Sequence, residues 1–159
     1  HRYIRRQRQM CIRDSMHNLY RDYSEYYNDV THNDGNQTRW TTGITIEGNT
    51  FDMDIASGDN PRNIKGNAAL FFQSDIPSGA ACSQYPMRDI IIDGNFFIGS
   101  QFQIFMDHED CPFSGTIQVT NNVSQFDSGT LGFFTQNLSG TGFNIVRSGN
   151  TDSNGNSID

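Results

Sequence analysis

A short pattern of alternating apolar residues, followed by a Gly-Asn or Asn-Asn corner, recurs along this chain and limits its fold more than any other feature. The sequence Ile-Thr-Ile-Glu-Gly-Asn-Thr-Phe at 44–51 is echoed at 90–97, at 117–124 and, more weakly, at 145–152. The copies start 46, 27 and 28 residues apart. Alternation gives a strand one buried face, and Gly and Asn tolerate the left-handed backbone of a tight corner. The repeat therefore predicts strands that turn at fixed places.

A second apolar segment follows the copies, at 68–72, 102–106 and 131–134. Two strands per repeat, returning to one register, predict an all-β parallel solenoid (a β-helix) of about three to four coils, with Ile and Phe side chains stacked about 4.8 Å apart. A further Ile-x-Gly-Asn at 64–67 leaves open whether residues 52–89 hold one coil or two. The alternative fold is an antiparallel β-sandwich, which does not require corners at near-constant spacing.

The pattern resembles the Ile-x-Ile-x-x-Asn-x-Phe repeat of the right-handed parallel β-helix in the pectin-lyase-like superfamily. The resemblance covers residues 44 to about 152 and implies that architecture. The superfamily includes polysaccharide lyases and hydrolases, phage tailspikes and adhesins, so the resemblance implies a polysaccharide partner and leaves catalysis open.

Residues 1–15 differ from the rest because they hold five of the ten arginines. Residues 10–15 resemble a translated sequencing-adapter end, so we interpret 1–15 as an artefact in front of a truncated protein. A basic arm that contacts nucleic acid or anionic lipid is the alternative. Without this stretch the 11 basic and 18 acidic residues become six and 17, a net charge of −11. That balance disfavours nucleic acid as a partner.

Residues 16–43 form a polar and aromatic segment ahead of the coils, which we place at 44–159. The helical spacing of four residues predicts a short helix near the N-terminus, and a remnant of an earlier coil is the alternative. The four are Leu19, Tyr23, Tyr26 and Val30. No apolar run approaches the length of a membrane span.

The densest polar cluster follows the apolar segment that ends at Met106. It contains Asp107, Glu109 and Asp110. Paired carboxylates divide acid and base roles in glycoside hydrolysis, and they also bind Ca²⁺. Strand alternation would place Asp107 and Glu109 on one face if the strand continued. A solvated charged loop is the plainer interpretation of the same residues.

Arg62 and Lys65 form the one close basic pair outside the N-terminal stretch. In the lyases that the repeat resembles, an Arg or Lys removes the proton alpha to a uronic-acid carboxylate while Ca²⁺ neutralises the developing charge, which makes both residues catalytic candidates. Pairing with Asp52, Asp54 or Asp59 is the structural alternative. An acidic chain repels anionic polymers, so neutral glycans are the easier substrates.

One asparagine recurs at the corner of each copy. We expect these amides to hydrogen-bond from coil to coil as a structural ladder, as stacked amides do in other parallel assemblies. The ladder residues are Asn49, Asn95, Asn122 and Asn150.

Cys82 and Cys111 each lie in a loop shortly before a copy of the repeat. Adjacent coils bring equivalent loops to the separation that a disulfide requires, so we predict a bridge and an oxidising compartment. Two reduced, buried thiols are the alternative.

These observations lead to one architecture and two functions. We expect an extracellular or cell-surface solenoid that engages polysaccharide on a lateral face, with oligomers forming through its ends or flank. One hypothesis is a lyase or glycoside hydrolase that uses the carboxylates and basic pair above, with Ca²⁺ as the candidate metal. The other is a non-catalytic tailspike, adhesin or surface module.

Overall fold

Parallel strand pairing organises this chain. The computed structural model describes residues 34–53, 67–126, 130–138 and 142–159. Within them the chain is a parallel β-solenoid of about three turns, with twelve short strands and a single 3-10 turn at Cys82–Gln84. The predicted solenoid is confirmed, and the antiparallel sandwich is excluded because every pair of neighbouring strands runs parallel.

The strands form three four-stranded sheets, and each coil contributes one strand to each sheet. Sheet A contains β2 (Thr41–Glu47), β5 (Met87–Asp93), β8 (Phe113–Thr120) and β11 (Phe143–Ser148). Sheet B contains β1 (Asn36–Thr38), β4 (Ala68–Gln73), β7 (Phe102–Asp107) and β10 (Gly132–Asn137). Sheet C contains β3 (Thr50–Met53), β6 (Phe96–Gly99), β9 (Val123–Gln125) and β12 (Thr151–Asp152).

Each coil therefore has three strands rather than the predicted two. The corner inside each repeat is sharp enough to divide it into a sheet A strand and a sheet C strand. Gly48 and Gly94 have φ values of 67° and 62°, and Asn121 has a φ of 55° at the equivalent place. Such left-handed residues turn the chain from sheet A into sheet C, so alternation does not run through the corner.

The register shows that residues 52–89 complete one coil, not two. Ile44 pairs with Ile90, and Phe51 pairs with Phe97, so the first and second copies of the repeat are direct neighbours. The 46-residue interval is thus one coil with an insertion. The Ile-x-Gly-Asn at 64–67 lies mostly outside the described residues.

The stack begins earlier in the chain than the sequence predicts. β1 pairs with β4 and β2 starts at Thr41, so part of the 16–43 segment belongs to the first coil. The predicted helix through Leu19 and Val30 lies outside the described residues, as do residues 1–15. No helix in the described part of the chain is long and apolar enough to cross a membrane.

Equivalent apolar side chains pile up inside the three sheets. Ile90 and Ile117 are neighbours in register and fully buried. The rings of Phe51 and Phe97 stack with centroids 5.2 Å apart. Burying one such side chain contributes about 1.5–3 kcal/mol, so each coil is stabilised chiefly by the coils above and below it.

The corner between sheets A and C holds a continuous amide ladder. The backbone N–H and side-chain Nδ2 of Asn95 both donate to Oδ1 of Asn122, each at 3.0 Å. Asn49 donates in the same way to Asn95, and Asn122 to Asn150. All four asparagines are at most 3% exposed.

Among the short polar side chains, asparagine alone has both the donors and the acceptor that this buried corner uses. Nδ2 of Asn122 also donates to the carbonyl of Ile92 at 3.0 Å, which uses its second proton. Aspartate has no donor in its ionised form, and serine has no second proton. Because a buried unpaired polar group is costly, each ladder asparagine holds its coil in one register.

A disulfide ties the loops of two neighbouring coils together. Cys82 lies between β4 and β5, Cys111 lies between β7 and β8, and their Cα atoms are 5.4 Å apart. Cys111 is buried, whereas Cys82 is exposed. The bridge joins the loops that lead from sheet B into sheet A. The amide ladder lies at the other end of the sheet A strands, where the chain leads into sheet C.

We predict that Asn122→Ala destabilises the protein by at least about 2 kcal/mol, because the two donors of Asn95 lose their buried acceptor. The control is Asn144→Ala, at an exposed asparagine on β11, which should change stability by no more than about 0.5 kcal/mol. Urea denaturation of both variants measures the difference. Equal losses would show that the ladder does not hold the coils together.

Candidate functional site

The outer face of sheet A contains a shallow groove of about 220 Å³. It crosses the first three strands of that sheet. The lining residues are Gly43, Thr45, Asp89, Ile91, Thr116 and Gln118.

Strand alternation explains why these residues face outward. In β5, Ile90 and Ile92 are buried in the core, so Ile91 between them points to the other face. Thr45 pairs with Ile91, and Ile91 pairs with Gln118, so the three side chains form one row across the sheet. The row has the hydroxyl group of Thr45 on one side of the apolar Ile91 and the amide group of Gln118 on the other.

A bulge deepens the groove next to that row. Arg88 pairs with Ser114 but Ile90 pairs with Ile117, so β8 has one extra residue opposite Asp89. Asp89 has a φ of 56°, an uncommon value for a non-glycine residue. Its Oδ1 accepts a hydrogen bond from the N–H of Thr116 at 3.3 Å.

Two glycines shape different parts of the groove, one at the bulge and one at the end of the groove. Gly115 has a φ of 69°, and a Cβ built on it would lie 2.2 Å from Oδ1 of Asp89. Gly43 has a φ of 76°, but a Cβ there would meet no atom within 4 Å. Gly115 therefore makes room for the carboxylate, whereas the missing side chain of Gly43 opens the end of the groove.

The carboxylates predicted as catalytic or calcium-binding do not line this groove. β7 ends at Asp107, so strand alternation does not reach Glu109, and the shared face expected for these two residues is not formed. Oδ1 of Asp107 accepts a hydrogen bond from Nδ2 of Asn137 at 2.9 Å. Oδ2 of Asp110 accepts one from the N–H of Ile76, also at 2.9 Å.

Glu109 is exposed, and its backbone N–H donates to Oγ of Ser74 at 3.3 Å. Among the described residues, no group of three or more His, Cys, Asp or Glu side chains is arranged to hold a metal ion. The other two catalytic candidates, Arg62 and Lys65, lie outside the described residues. That the five candidates share one site therefore stays a prediction.

The groove residues were not among the candidates predicted from the sequence. Gln118 occupies an outward position of the repeat, where the apolar pattern carries no information, and Asp89 and Thr116 lie just before the copies that start at Ile90 and Ile117. A comparison of the outward positions between copies would have aligned Thr45, Ile91 and Gln118 as one row on the outer face of sheet A.

Comparisons with protein-family models, curated proteins and solved structures find no match. They support neither the resemblance to the pectin-lyase-like superfamily nor the adapter interpretation of residues 10–15. The parallel solenoid rests on the structure itself.

We predict that Gly115→Ala destabilises the protein by about 1 kcal/mol more than Gly43→Ala. Both changes place a side chain in the left-handed region, at about 1–2 kcal/mol, but only the first also disrupts the hydrogen bond between Asp89 and Thr116. Denaturant titration measures both, and Asp89→Gly should abolish the excess cost of Gly115→Ala. An excess that persists without the Asp89 side chain would contradict this origin of the bulge.

Proposed function

We propose that this protein binds a neutral polysaccharide along the outer face of sheet A. The observation that carries the proposal is the groove, whose row of Thr45, Ile91 and Gln118 combines hydrogen-bonding groups with an apolar centre. Sugars present the same combination, because their hydroxyl groups lie around the ring edge and their C–H groups lie on the ring faces.

The shape of the groove favours a polymer over a small molecule. Pockets for drug-sized ligands are typically enclosed and hold about 300–1,000 Å³, whereas this groove is shallower and holds about 220 Å³. Parallel strands repeat every 4.8 Å or so, a spacing close to the length of one sugar unit. A regular polymer that lies across the strands meets a similar set of side chains at each step.

An exposed aromatic side chain stands next to the groove strands. Trp40 is 43% exposed and immediately precedes β2, the strand that carries Gly43 and Thr45. Its ring meets the edge of the Tyr85 ring, with centroids 5.7 Å apart, which holds its orientation. An oriented tryptophan is a flat apolar platform with a polar N–H, well suited to stacking on a sugar ring.

Charge supports a neutral ligand. The whole chain has a formal net charge of −7, and the one ionisable side chain among those that line the groove is the carboxylate of Asp89. Arg88 lies beside it, with Nε 3.9 Å from Oδ2. An anionic polymer would be repelled here, whereas the hydroxyl groups of a neutral sugar donate to a carboxylate.

The geometry supports binding rather than cleavage. Glycoside hydrolysis usually requires two carboxylates that flank the scissile bond, and of the described residues one carboxylate, that of Asp89, lines the groove. We therefore favour the tailspike, adhesin or surface-module hypothesis over a lyase or hydrolase. A secreted or surface location is part of this proposal, since disulfides such as Cys82–Cys111 persist in oxidising compartments.

The test is affinity measurement on glycans of known charge. We expect the protein to bind at least one neutral polymer, such as a β-glucan or a mannan, and to bind polygalacturonate more weakly with or without Ca²⁺. Gln118→Ala should weaken binding roughly two- to tenfold, as expected for one lost hydrogen bond. Gln136→Ala, at an exposed glutamine of sheet B, is the matched control and should bind like the parent.

Two outcomes would contradict the proposal. One is binding that Gln118→Ala and Trp40→Ala leave unchanged, which would place the site elsewhere. The other is release of reducing or unsaturated ends from any bound glycan, which would show an enzyme rather than a binding module.

A further inference from the structure

The disulfide lies in the loop that carries the partner ring of Trp40. This loop, residues 74–86, links β4 to β5. The ring of Trp40 contacts it at Tyr85, and Tyr85 follows three residues after Cys82 of the disulfide. We call residues 82–85 the support turn, because the aromatic contact of Trp40 stands at its end.

The support turn is not fixed by packing into the core. Its 3-10 segment, Cys82–Gln84, contains no buried residue, and residues 77–79 in front of it are exposed as well. Burial of apolar side chains therefore does little to hold it in place. By contrast, Cys111 on the neighbouring coil is only 1% exposed. The disulfide thus joins an exposed turn to a buried residue.

Backbone hydrogen bonds from coil to coil make Cys111 a firm point of attachment. Its N–H donates to the carbonyl of Ser74 at 3.2 Å, and the N–H of Asp110 donates to the same carbonyl at 3.3 Å. Ser74, the first residue of the loop, is itself buried. The beginning of the loop is therefore held by these hydrogen bonds, whereas the support turn near its end is held through the disulfide.

The support turn sets the direction of the Tyr85 ring. The N–H of Tyr85 donates to the carbonyl of Cys82 at 3.1 Å, which couples the two residues directly. With φ of −131° and ψ of 59°, Tyr85 is neither helical nor extended. The carbonyl of Pro86, the next residue, accepts a hydrogen bond from the N–H of Thr41 at 2.9 Å. Sheet A thus fixes the backbone after Tyr85, and the turn before it fixes where the ring points.

We propose that the disulfide is a positioning element of the glycan site: it fixes Tyr85, and the ring of Tyr85 orients the ring of Trp40 for stacking. This inference rests on the binding function proposed above. The cysteines act through Trp40 and not by contact with the sugar. Because ordering a side chain during binding costs affinity, an oriented platform should bind roughly two- to tenfold more tightly than a mobile one.

Fluorescence measures the orientation of this ring directly, because Trp40 is the only tryptophan in the chain. In the variant Cys82→Ala/Cys111→Ala, we expect a larger fast component in the decay of tryptophan anisotropy. Tyr85→Ala should show the same change, whereas Tyr85→Phe keeps the ring and should behave like the parent. Circular dichroism and a thermal melt establish that each variant is folded. If the double variant does not fold, Cys82→Ala alone carries the same test, because it leaves the buried cysteine in place.

Asn122→Ala is the matched control for a general loss of stability. It weakens the amide ladder at the other end of the sheet A strands, away from the support turn. We expect it to lower stability and to leave the anisotropy decay of Trp40 unchanged. An equal change in this control would overturn the proposal, because the motion of Trp40 would then follow overall stability. Unchanged anisotropy in a folded variant without the disulfide would also overturn it.

A double-mutant cycle measures the effect on affinity for the β-glucan or mannan that the parent binds. Removal of the disulfide should weaken binding roughly two- to tenfold in the parent, but by less than about 1.5-fold in Trp40→Ala. Equal losses in both backgrounds would contradict the inference, because the disulfide would then act on another part of the site. A parent that binds no glycan would contradict the proposed function instead, and the anisotropy would still decide whether the disulfide orients Trp40.

Discussion

The structure depends on one constraint, which is that a buried amide at each corner must find its partners in the neighbouring coils. Each ladder asparagine binds its successor through two donors that share one acceptor. A slip of one residue would bury those donors without a partner and turn the interior isoleucines outward. The ladder and the apolar columns therefore specify the same register, and their agreement is what makes so narrow a core cooperative.

The side chains on the outer surface can vary because the buried inner rows stabilise the fold. On sheet A that freedom permits a row of Thr45, Ile91 and Gln118 and a bulge at Asp89 without loss of the interior contacts. The same register that aligns the core aligns these side chains at equal intervals. A solenoid thus offers a repeating surface, which suits a repeating ligand better than a compact one.

The inward positions of the repeat were predictable because burial imposes a pattern on them. Ile90, Phe97 and Asn95 follow it, and the disulfide partners follow from the spacing of the copies. The third strand per coil was missed because the few residues after the Gly-Asn corner, such as Thr50–Met53, are too short a segment to show an alternation of their own. The groove was missed for a different reason, since outward residues such as Gln118 obey no hydrophobic period. The hydrogen bonds of Asp107 to Asn137 and of Asp110 to Ile76 were not predictable, because the sequence alone does not show which groups meet across neighbouring coils.

Hydrogen exchange of the ladder amides measures the central claim most directly. The account predicts that the side-chain NH₂ groups of Asn95 and Asn122 exchange only when the whole stack opens, as slowly as the most protected backbone amides of β5 and β8. The exposed amide of Asn144 serves as the internal reference for a group that is free to exchange. Exchange of the ladder side chains at the rate of Asn144 would contradict the account, because the coils would then be held in register by something other than the ladder.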